Sequence, residues 1–169
     1  LIVAGGYTTT NVGNTESWNG SAWTEVNDLN TASSQGSSGL GTQTAALAAG
    51  KHPYASPQSC EQWDGTNWTE VAELNTPRGE DMGSNGTTTS GLLYGGYFNP
   101  PSANKANTES WNGSTWTEQA DLSTARYALS GSGASASSAI AAGGYASTNS
   151  TATEEWTAAD FQIKSVTTS

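Results

Sequence analysis

Short apolar runs recur along the chain at a regular spacing, and each run is followed by glycine. Ala, Leu, Ile and Val fill these runs almost without interruption, whereas Ser, Thr, Asn and Gly dominate the segments between them. Short apolar runs bounded by turn residues are typical of β-strands that are buried on both faces. The runs lie at 1–4, 45–49, 92–94 and 139–142.

A second repeated pattern places two tryptophans five residues apart around an Asn-Gly or Asp-Gly pair. Such a pair between β-forming residues is the strongest short-range signal of a β-hairpin. The pattern occurs at 16–25, 61–70 and 109–118, and a fourth copy begins at Glu154 and then departs. We predict that the tryptophans are structural and fill the space between neighbouring units: Trp18, Trp23, Trp63, Trp68, Trp111, Trp116 and Trp156.

The two patterns share one period. Trp18, Trp63, Trp111 and Trp156 are separated by 45, 48 and 45 residues, and the glycines after the apolar runs repeat in step. The extra three residues of the third unit lie between Gly95 and Trp111, which predicts a loop insertion at 98–105. Repeats of about 45 residues built from short strands indicate the four-stranded antiparallel blades of a β-propeller. The predicted fold class is therefore all-β.

Each unit is expected to contain four strands, A to D. The A strands consist of small residues, which suits a crowded innermost position, and the D strands are expected to lie outermost. The chain then forms one propeller segment of fifteen strands, in which the first blade lacks its inner strand. The predicted blades span 1–32, 33–77, 78–125 and 126–169, and Phe161 falls in the last D strand.

These residues resemble the kelch repeat: an apolar run, Gly-Gly, an aromatic residue, a Trp, then Leu and Arg before the next blade. The resemblance covers nearly the whole chain and departs where Lys51 replaces the second Gly and Ser33 replaces the Arg. Kelch-like propellers usually close with six or seven blades, so either upstream sequence is missing or the ring closes another way. The matching structural glycines are Gly5, Gly6, Gly95, Gly96, Gly143 and Gly144.

Composition argues against several functions. A formal net charge of -10 with only five Lys and Arg residues excludes nucleic-acid binding, and we find no apolar segment long enough to insert into a membrane. Cys60 is the single cysteine and is predicted to be a small buried residue of a strand.

Catalysis and cofactor binding are not expected. Galactose oxidase shares the kelch-like propeller and binds copper through Tyr and His residues with a modified Cys, which one His and one Cys cannot reproduce. His52, the single histidine, is predicted to lie in a loop. We therefore expect no enzyme activity, no metal and no cofactor.

Carboxylates recur once per unit, at Glu16, Glu61, Glu109 and Glu154. A residue that one active site requires would not recur in every blade, so paired acids for glycoside hydrolysis are disfavoured. We expect a structural role, in which these carboxylates pair with backbone amides or with Arg78 and Arg126. Calcium coordination is the weaker alternative.

A ligand is expected on the face that the B–C and D–A connections share. This face collects aromatic and polar side chains, a combination that suits carbohydrate or protein contact, although the tyrosines could instead pack locally. The candidate ligand-binding residues are Tyr7, Tyr54, Tyr97, Phe98, Lys105, Tyr145, Arg78 and Arg126.

The composition, with little Lys and much Ser, Thr, Gly and Asn, is similar in style to bacteriophage virion-surface proteins. The leading hypothesis is a non-catalytic structural and adhesion module of a tail fibre, spike or decoration protein on the virion surface. Its partners would be a host-surface glycan or protein, other virion proteins, or further copies of itself. The alternatives are a cytoplasmic or extracellular protein-interaction scaffold and, least favoured, a fragment of a galactose-oxidase-like enzyme.

Overall fold

The computed structural model describes residues 1–33, 38–51, 57–79, 81–99, 101–158 and 162–165, the last of these for their backbone alone. Within these ranges the chain is all-β and contains no helix. Its strands form four antiparallel sheets of three or four strands and one small hairpin. The prediction of an all-β chain with antiparallel sheets is confirmed.

Sheet I has three strands, and the next sheet along the chain has four, each sheet running in strict sequence order. Sheet I comprises β1 (Ile2–Tyr7), β2 (Asn11–Trp18) and β3 (Trp23–Val26). Sheet II comprises β4 (Ser38–Thr42), β5 (Ala45–Ala49), β6 (Cys60–Trp63) and β7 (Trp68–Val71). In each sheet, the hairpin between the last two strands pairs the two tryptophans with each other, as in Trp63 with Trp68.

Sheets III and IV repeat the four-stranded pattern. Sheet III comprises β8 (Gly83–Thr87), β9 (Ser90–Tyr94), β12 (Thr108–Trp111) and β13 (Trp116–Glu118). Sheet IV comprises β14 (Ser130–Ser135), β15 (Ser138–Ala142), β16 (Thr153–Thr157) and β17 (Gln162–Ser165). The four sheets therefore contain fifteen strands in the described residues, and sheet I is the one without an A strand.

The segment at 98–105, predicted as a loop, instead belongs to a short hairpin. Strand β10 (Tyr97–Phe98) pairs with β11 (Ala103–Asn104), with Tyr97 opposite Asn104 and Phe98 opposite Ala103. The extra residues of the third unit thus form part of a two-stranded hairpin that follows β9.

The A strands of neighbouring sheets lie against one another, since β8 contacts both β4 and β14. Ser84 donates a hydrogen bond from its hydroxyl to the Gly39 carbonyl at 2.8 Å, and Asn85 donates from its amide to the Ser135 carbonyl at 2.7 Å. Small residues permit this approach: a Cβ at Gly131 would lie 2.2 Å from the Tyr94 hydroxyl oxygen. We call the edge formed by β4, β8 and β14 the inner edge.

Apolar side chains fill the space between consecutive sheets. The cluster between sheets II and III includes Leu40, Leu47, Leu93, Trp111 and Trp116. Equivalent clusters lie between sheets I and II and between sheets III and IV. The main core is thus divided into three layers, one at each contact between sheets.

Burial on both faces holds for the B strands of the two central sheets only. In β5 and β9 the last four residues are all buried, whereas β1 and β15 each contain two exposed residues. The prediction was wrong for β1 and β15 because, among the residues that the structure describes, each has a neighbouring sheet on one side only. The exposed fraction reaches 44% at Val3 and 48% at Ile140.

The tryptophans join the sheets through their indole N–H groups as well as by packing. Trp68 donates to the Thr15 hydroxyl of sheet I, and Trp116 donates to the Ala72 carbonyl beyond β7, both at 3.1 Å. Trp23, predicted to be a packed tryptophan of the same kind, is 44% exposed, because no sheet precedes sheet I in the described residues.

Gly95 shows why glycine follows the B strands. Its φ is 67°, in the left-handed region that side chains disfavour. A Cβ there would also lie 2.6 Å from the Arg126 carbonyl oxygen. Only glycine therefore allows β9 to turn so close to the connection that follows β13.

Candidate ligand-binding face

The B–C connection of sheet III and the D–A connection that leads to sheet IV lie on the same face and are hydrogen-bonded to each other. The Gly96 N–H donates to the Arg126 carbonyl at 2.9 Å, and the Arg126 N–H donates to the Lys105 carbonyl at 3.1 Å. The Gly79 N–H donates to the Tyr97 carbonyl at 3.0 Å, which adds the preceding D–A connection. Backbone hydrogen bonds therefore hold this face together.

Three tyrosine rings form a row across this face. The Tyr97 and Tyr127 ring centroids are 5.4 Å apart with an interplanar angle of 48°, and those of Tyr127 and Tyr145 are 5.6 Å apart at 62°. Tyr127 and Tyr145 also exchange two backbone hydrogen bonds, at 3.1 and 2.7 Å. Tyr97 and Tyr127 are half-buried, whereas Tyr145 is exposed. We call Tyr97, Tyr127 and Tyr145 the tyrosine row.

The β10–β11 hairpin borders the tyrosine row. The Asn104 amide donates to the Ala146 carbonyl at 2.7 Å, which ties the hairpin to the B–C connection of sheet IV. The Lys105 ammonium lies 5.6 Å from the centroid of the Phe98 ring, within the range of a cation–π contact. Phe98, Lys105, Tyr97 and Tyr145 are thus brought together as one surface.

Arg78 and Arg126, the two arginines among the candidate ligand-binding residues, do not reach this surface. Both are completely buried: Arg78 lies 3.1 Å from a Glu109 carboxylate oxygen, and Arg126 lies 2.5 Å from one of Glu154. Desolvation lowers the pKa of the Arg78 guanidinium, and the charge of Glu109 opposes that shift. The interpretation of these arginines as ligand contacts was wrong, because each is enclosed between sheets with a carboxylate.

The prediction of a structural role for the repeated carboxylates is confirmed in sheets II, III and IV. Glu109 accepts backbone N–H groups from Asn75 and Thr76, and Glu61 accepts those of Asn30 and Thr31. Glu154 accepts the N–H of Ser123 in the same way. Each carboxylate therefore anchors the connection that arrives from the preceding sheet. Glu16, the equivalent residue of sheet I, is exposed.

The remaining candidates are separate from the row or lie outside the described residues. Tyr7 is 66% exposed at the end of β1. His52, Tyr54 and Phe161 lie outside the described residues.

Cys60 is buried, as predicted, and burial raises the pKa of its thiol to about 12. A thiol with such a pKa stays protonated near neutrality, so it is a poor nucleophile and a poor metal ligand. Across the described part of the chain, no three His, Cys, Asp or Glu side chains are grouped so as to hold a metal ion. No helix there is long and apolar enough to cross a membrane.

Tyr127 is the member of the surface that sequence reasoning missed. It lies near the start of the predicted blade 126–169, but β14 begins only at Ser130, and Tyr127 forms an isolated bridge with Tyr145. The available signal was its position next to Arg126, in a D–A connection that was already expected on this face.

A slot of about 510 Å³ lies between sheets I and II, along the edge of β1 that has no A strand. Its lining is mainly apolar and includes Leu1, Val3, Leu40, Ala46 and Trp68. The polar side chains of the lining are those of Thr42 and Gln43.

Comparison with known proteins supports the fold. No protein-family model matches the sequence, and neither does any curated protein. A solved structure described as "Structure of YjhT" is similar, with a TM-score of 0.74 at 14% sequence identity. The match covers 92% of this chain and 52% of that one, so the chain spans about half the length of the protein it matches. At this identity the likeness concerns the fold alone.

Proposed function

We propose that the chain is a segment of a kelch-like β-propeller that serves as a non-catalytic binding module. Four consecutive antiparallel sheets are packed face to face, with the A strands of sheets II, III and IV together, and this arrangement supports the proposed architecture. In sheets II, III and IV the glycine after the B strand, the Trp of the C strand and the buried Glu take equivalent structural roles, as the repeats of a propeller would. The order of the strands within each sheet follows the up-and-down pattern of such blades.

The ligand we propose is a neutral carbohydrate bound at the tyrosine row. Aromatic rings present apolar faces that stack against the C–H surface of a sugar, while the phenol groups remain available for hydrogen bonds. The formal net charge of -10 disfavours acidic ligands through long-range repulsion. The observation that carries the proposal is the contact of three partly exposed tyrosine rings, held by backbone hydrogen bonds and bordered by Lys105 and Asn104.

The polar groups of the core support a non-catalytic role. Glu61, Glu109 and Glu154 are buried acceptors of backbone N–H groups, so each is already engaged in holding one sheet to the next. A carboxylate that performs acid–base chemistry needs access to a substrate. Buried structural carboxylates of this kind leave recognition, rather than reaction, as the function of the surface.

Binding of neutral and acidic oligosaccharides on an array tests the ligand. We expect neutral glycans to bind, and Tyr127→Ala and Tyr145→Ala each to weaken binding by about tenfold or more, since a lost aromatic contact costs roughly 0.5–1.5 kcal/mol beyond the lost area. Tyr7→Ala is the matched control, because Tyr7 is exposed but outside the row. Absence of binding by the unchanged protein, or an equal loss with Tyr7→Ala, would overturn the carbohydrate proposal.

We further propose that the module works at the surface of a bacteriophage virion, with a host glycan as its ligand. The support is compositional: few Lys, many Ser, Thr, Gly and Asn residues, and closely similar repeats. The genes beside the one for this chain test this proposal. Neighbouring capsid and tail genes are expected, and their absence would favour the alternative of a cellular or secreted interaction scaffold.

A further inference from the structure

The Asn-Gly turns in the C–D hairpins of sheets I and III hold the asparagine side chain in the same way. The Asn19 carbonyl oxygen Oδ1 accepts the Ser21 N–H, the Ser21 hydroxyl and the Ala22 N–H at 2.9, 3.0 and 3.0 Å. The Asn112 Oδ1 accepts the equivalent three donors of its own turn at 2.9, 3.0 and 2.9 Å. Both turns are exposed. Each side-chain carbonyl is therefore polarised by three donors and accessible to water.

The glycine after each of these asparagines leaves room beside the asparagine side chain. Gly20 and Gly113 have φ values of 103° and 101°. Among the described residues, a Cβ at Gly20 would meet no atom within 4 Å, and one at Gly113 would first meet Thr89 at 3.6 Å, an ordinary contact. The nitrogen of the glycine can therefore approach the asparagine side chain without a neighbouring side chain in the way.

Asn85-Gly86 is the same dipeptide in a different environment. Asn85 is 6% exposed in β8, and its amide donates to the Ser135 carbonyl at 2.7 Å. Its Oδ1 has no hydrogen-bond partner among the described residues. Gly86 has a φ of 104°, but a Cβ there would lie 2.2 Å from the Ser90 carbonyl oxygen. The three dipeptides thus share the φ of glycine and differ in carbonyl polarisation, space and access of water.

Sheet II has an acid where sheets I and III have asparagine. The carboxylate of Asp64, which precedes Gly65, accepts the N–H groups of Thr66 and Asn67 at 2.7 and 2.8 Å. The hydrogen bonds from Asn67 and Thr66 lower the pKa of the Asp64 carboxyl. The turn therefore accommodates a carboxylate with the same backbone donors that hold the asparagines.

We propose that Asn19 and Asn112 are sites of spontaneous deamidation and that the fold protects Asn85. At Asn112, the Gly113 nitrogen gives its proton to a solvent base and bonds to the side-chain carbon Cγ. The bond between Cγ and Nδ2 breaks, and Nδ2 leaves as ammonia. Water then opens the resulting five-membered imide. Cleavage of the ring at Cγ gives Asp, and cleavage at the main-chain carbonyl gives isoaspartate. Gly20 takes the same part at Asn19.

The turn stabilises the charge that this reaction develops. Negative charge accumulates on Oδ1 as the nitrogen attacks, and the three donors already point at that oxygen. The serine hydroxyl is the one donor that a substitution removes without altering the backbone. Burial at Asn85 withholds both the donors and the water that the reaction needs.

The two products have different effects on the hairpin. Each conversion adds one carboxylate, so conversion at both sites changes the formal net charge from -10 to -12. An Asp product keeps the backbone donors, as Asp64 does in sheet II. Isoaspartate lengthens the main chain of the turn by one carbon, which should disturb the pairing of Trp111 with Trp116.

Incubation of the folded chain at mildly alkaline pH, in water enriched in heavy oxygen, tests the proposal by peptide mass spectrometry. We expect Asn19 and Asn112 to convert about tenfold faster or more than Asn85, because a buried group reacts only through rare local opening. Each product should contain one solvent oxygen. Isoaspartate should be present at both turns, since it forms only through the imide. In concentrated guanidinium the three dipeptides should convert at similar rates.

Two substitutions test the role of the turn. Ser114→Ala should slow conversion at Asn112 by about twofold or more, because it removes one donor to Oδ1, and should leave Asn19 unchanged as the internal control. Asn112→Asp should unfold in urea at a midpoint no lower than that of the unchanged chain. Asn85→Asp is its matched control and should lower the midpoint, since it buries a carboxylate.

Four results would overturn the proposal. Conversion at Asn85 as fast as at the two turns in the folded chain would show that the fold gives no protection. Absence of conversion at Asn19 and Asn112 would show that their turns prevent the attack. Products without isoaspartate would exclude the imide. Slow conversion of Asn85 that persists in guanidinium would assign the difference to the flanking sequence.

Discussion

In sheet II the buried ammonium group of Lys51 pairs with the carboxylate of Glu61. In sheets III and IV the equivalent glutamate pairs with an arginine instead. Lys51 occupies the position of the second glycine in the repeat, and Ser33 occupies the position of the arginine. The two departures from the repeat are therefore linked: the lysine at position 51 supplies the positive charge that the arginine would supply at position 33. The cation that anchors the carboxylate of sheet II comes from the B–C connection instead of the D–A connection.

Removal of this cation should destabilise the chain strongly. Lys51→Met leaves the Glu61 carboxylate buried without a counter-charge, and breaking a buried ion pair in this way costs about 3–5 kcal/mol. Urea denaturation followed by tryptophan fluorescence measures the change in the free energy of unfolding. The double variant Ser33→Arg, Lys51→Gly restores the arrangement of sheets III and IV and should recover most of the loss.

Lys105→Met is the matched control, because the Lys105 ammonium faces Phe98 at the partly exposed hairpin rather than a buried carboxylate. It should change the free energy of unfolding by less than about 1 kcal/mol. A loss in Lys51→Met no greater than in Lys105→Met would refute the role of Lys51 as the anchor of Glu61.

The contribution of a tryptophan to the free energy of unfolding should depend on the sheet in which it lies. Trp116 is buried between sheets II and III and donates a hydrogen bond to the Ala72 carbonyl, so Trp116→Ala should cost about 3–5 kcal/mol. Trp23→Ala, at the same repeat position, should cost less than about 1 kcal/mol, because Trp23 is 44% exposed. Equal losses in urea denaturation would contradict the exposed position of Trp23.

The sequence repeat predicted the strands well and their burial less well. The paired tryptophans recur in the first three units, so one hairpin assignment served for sheets I, II and III, whereas in sheet IV Trp156 pairs with Ile163. Burial of Val3 and Ile140, in contrast, depends on the position of a unit within the series, and the repeat pattern is the same at the ends as in the middle. The end positions were therefore predicted to be buried when they are exposed.

The candidate site was predicted in outline but not in detail. Alternation of the connections placed Tyr97 and Tyr145 on one face, and the structure brings both against Tyr127. Whether an arginine on that face is exposed or buried depends on its partner. Arg126 pairs with Glu154, which is 28 residues away in sequence. Such a contact follows from the packing of two sheets and is not visible in either local segment.

Alkaline pH should weaken the fold through Cys60. Burial raises the pKa of its thiol from 9.0 to about 12, so the folded state holds the proton more tightly than the unfolded state. The resulting stabilisation is complete below pH 9 and is lost as the pH rises toward 12, by up to about 1.4 kcal/mol per pH unit. Urea denaturation between pH 8 and 11 should show a shallower decline in Cys60→Ala than in the unchanged chain.

The same burial should protect the thiol from reaction. At pH 8 the folded protein should react with an aromatic disulfide reagent far more slowly than the protein in urea, because reaction needs an accessible thiolate. Rapid reaction of the folded chain would show that Cys60 is neither buried nor protonated as described.

Two glycines with a positive φ allow two effects of a substitution to be measured separately. One is the cost of the backbone conformation, and the other is the clash of the new Cβ with neighbouring atoms. Gly20 has a φ of 103° with open space around its Cα, whereas Gly95 has a φ of 67° and the Arg126 carbonyl in the way of any Cβ. Gly20→Ala should cost about 1–2 kcal/mol, the ordinary penalty for a left-handed residue. Gly95→Ala should cost about 1–3 kcal/mol more than Gly20→Ala, because the new Cβ would also clash with the Arg126 carbonyl. Urea denaturation of both variants measures the difference, and equal losses would mean that the connection after β13 moves aside, so that backbone conformation alone maintains glycine at the end of β9.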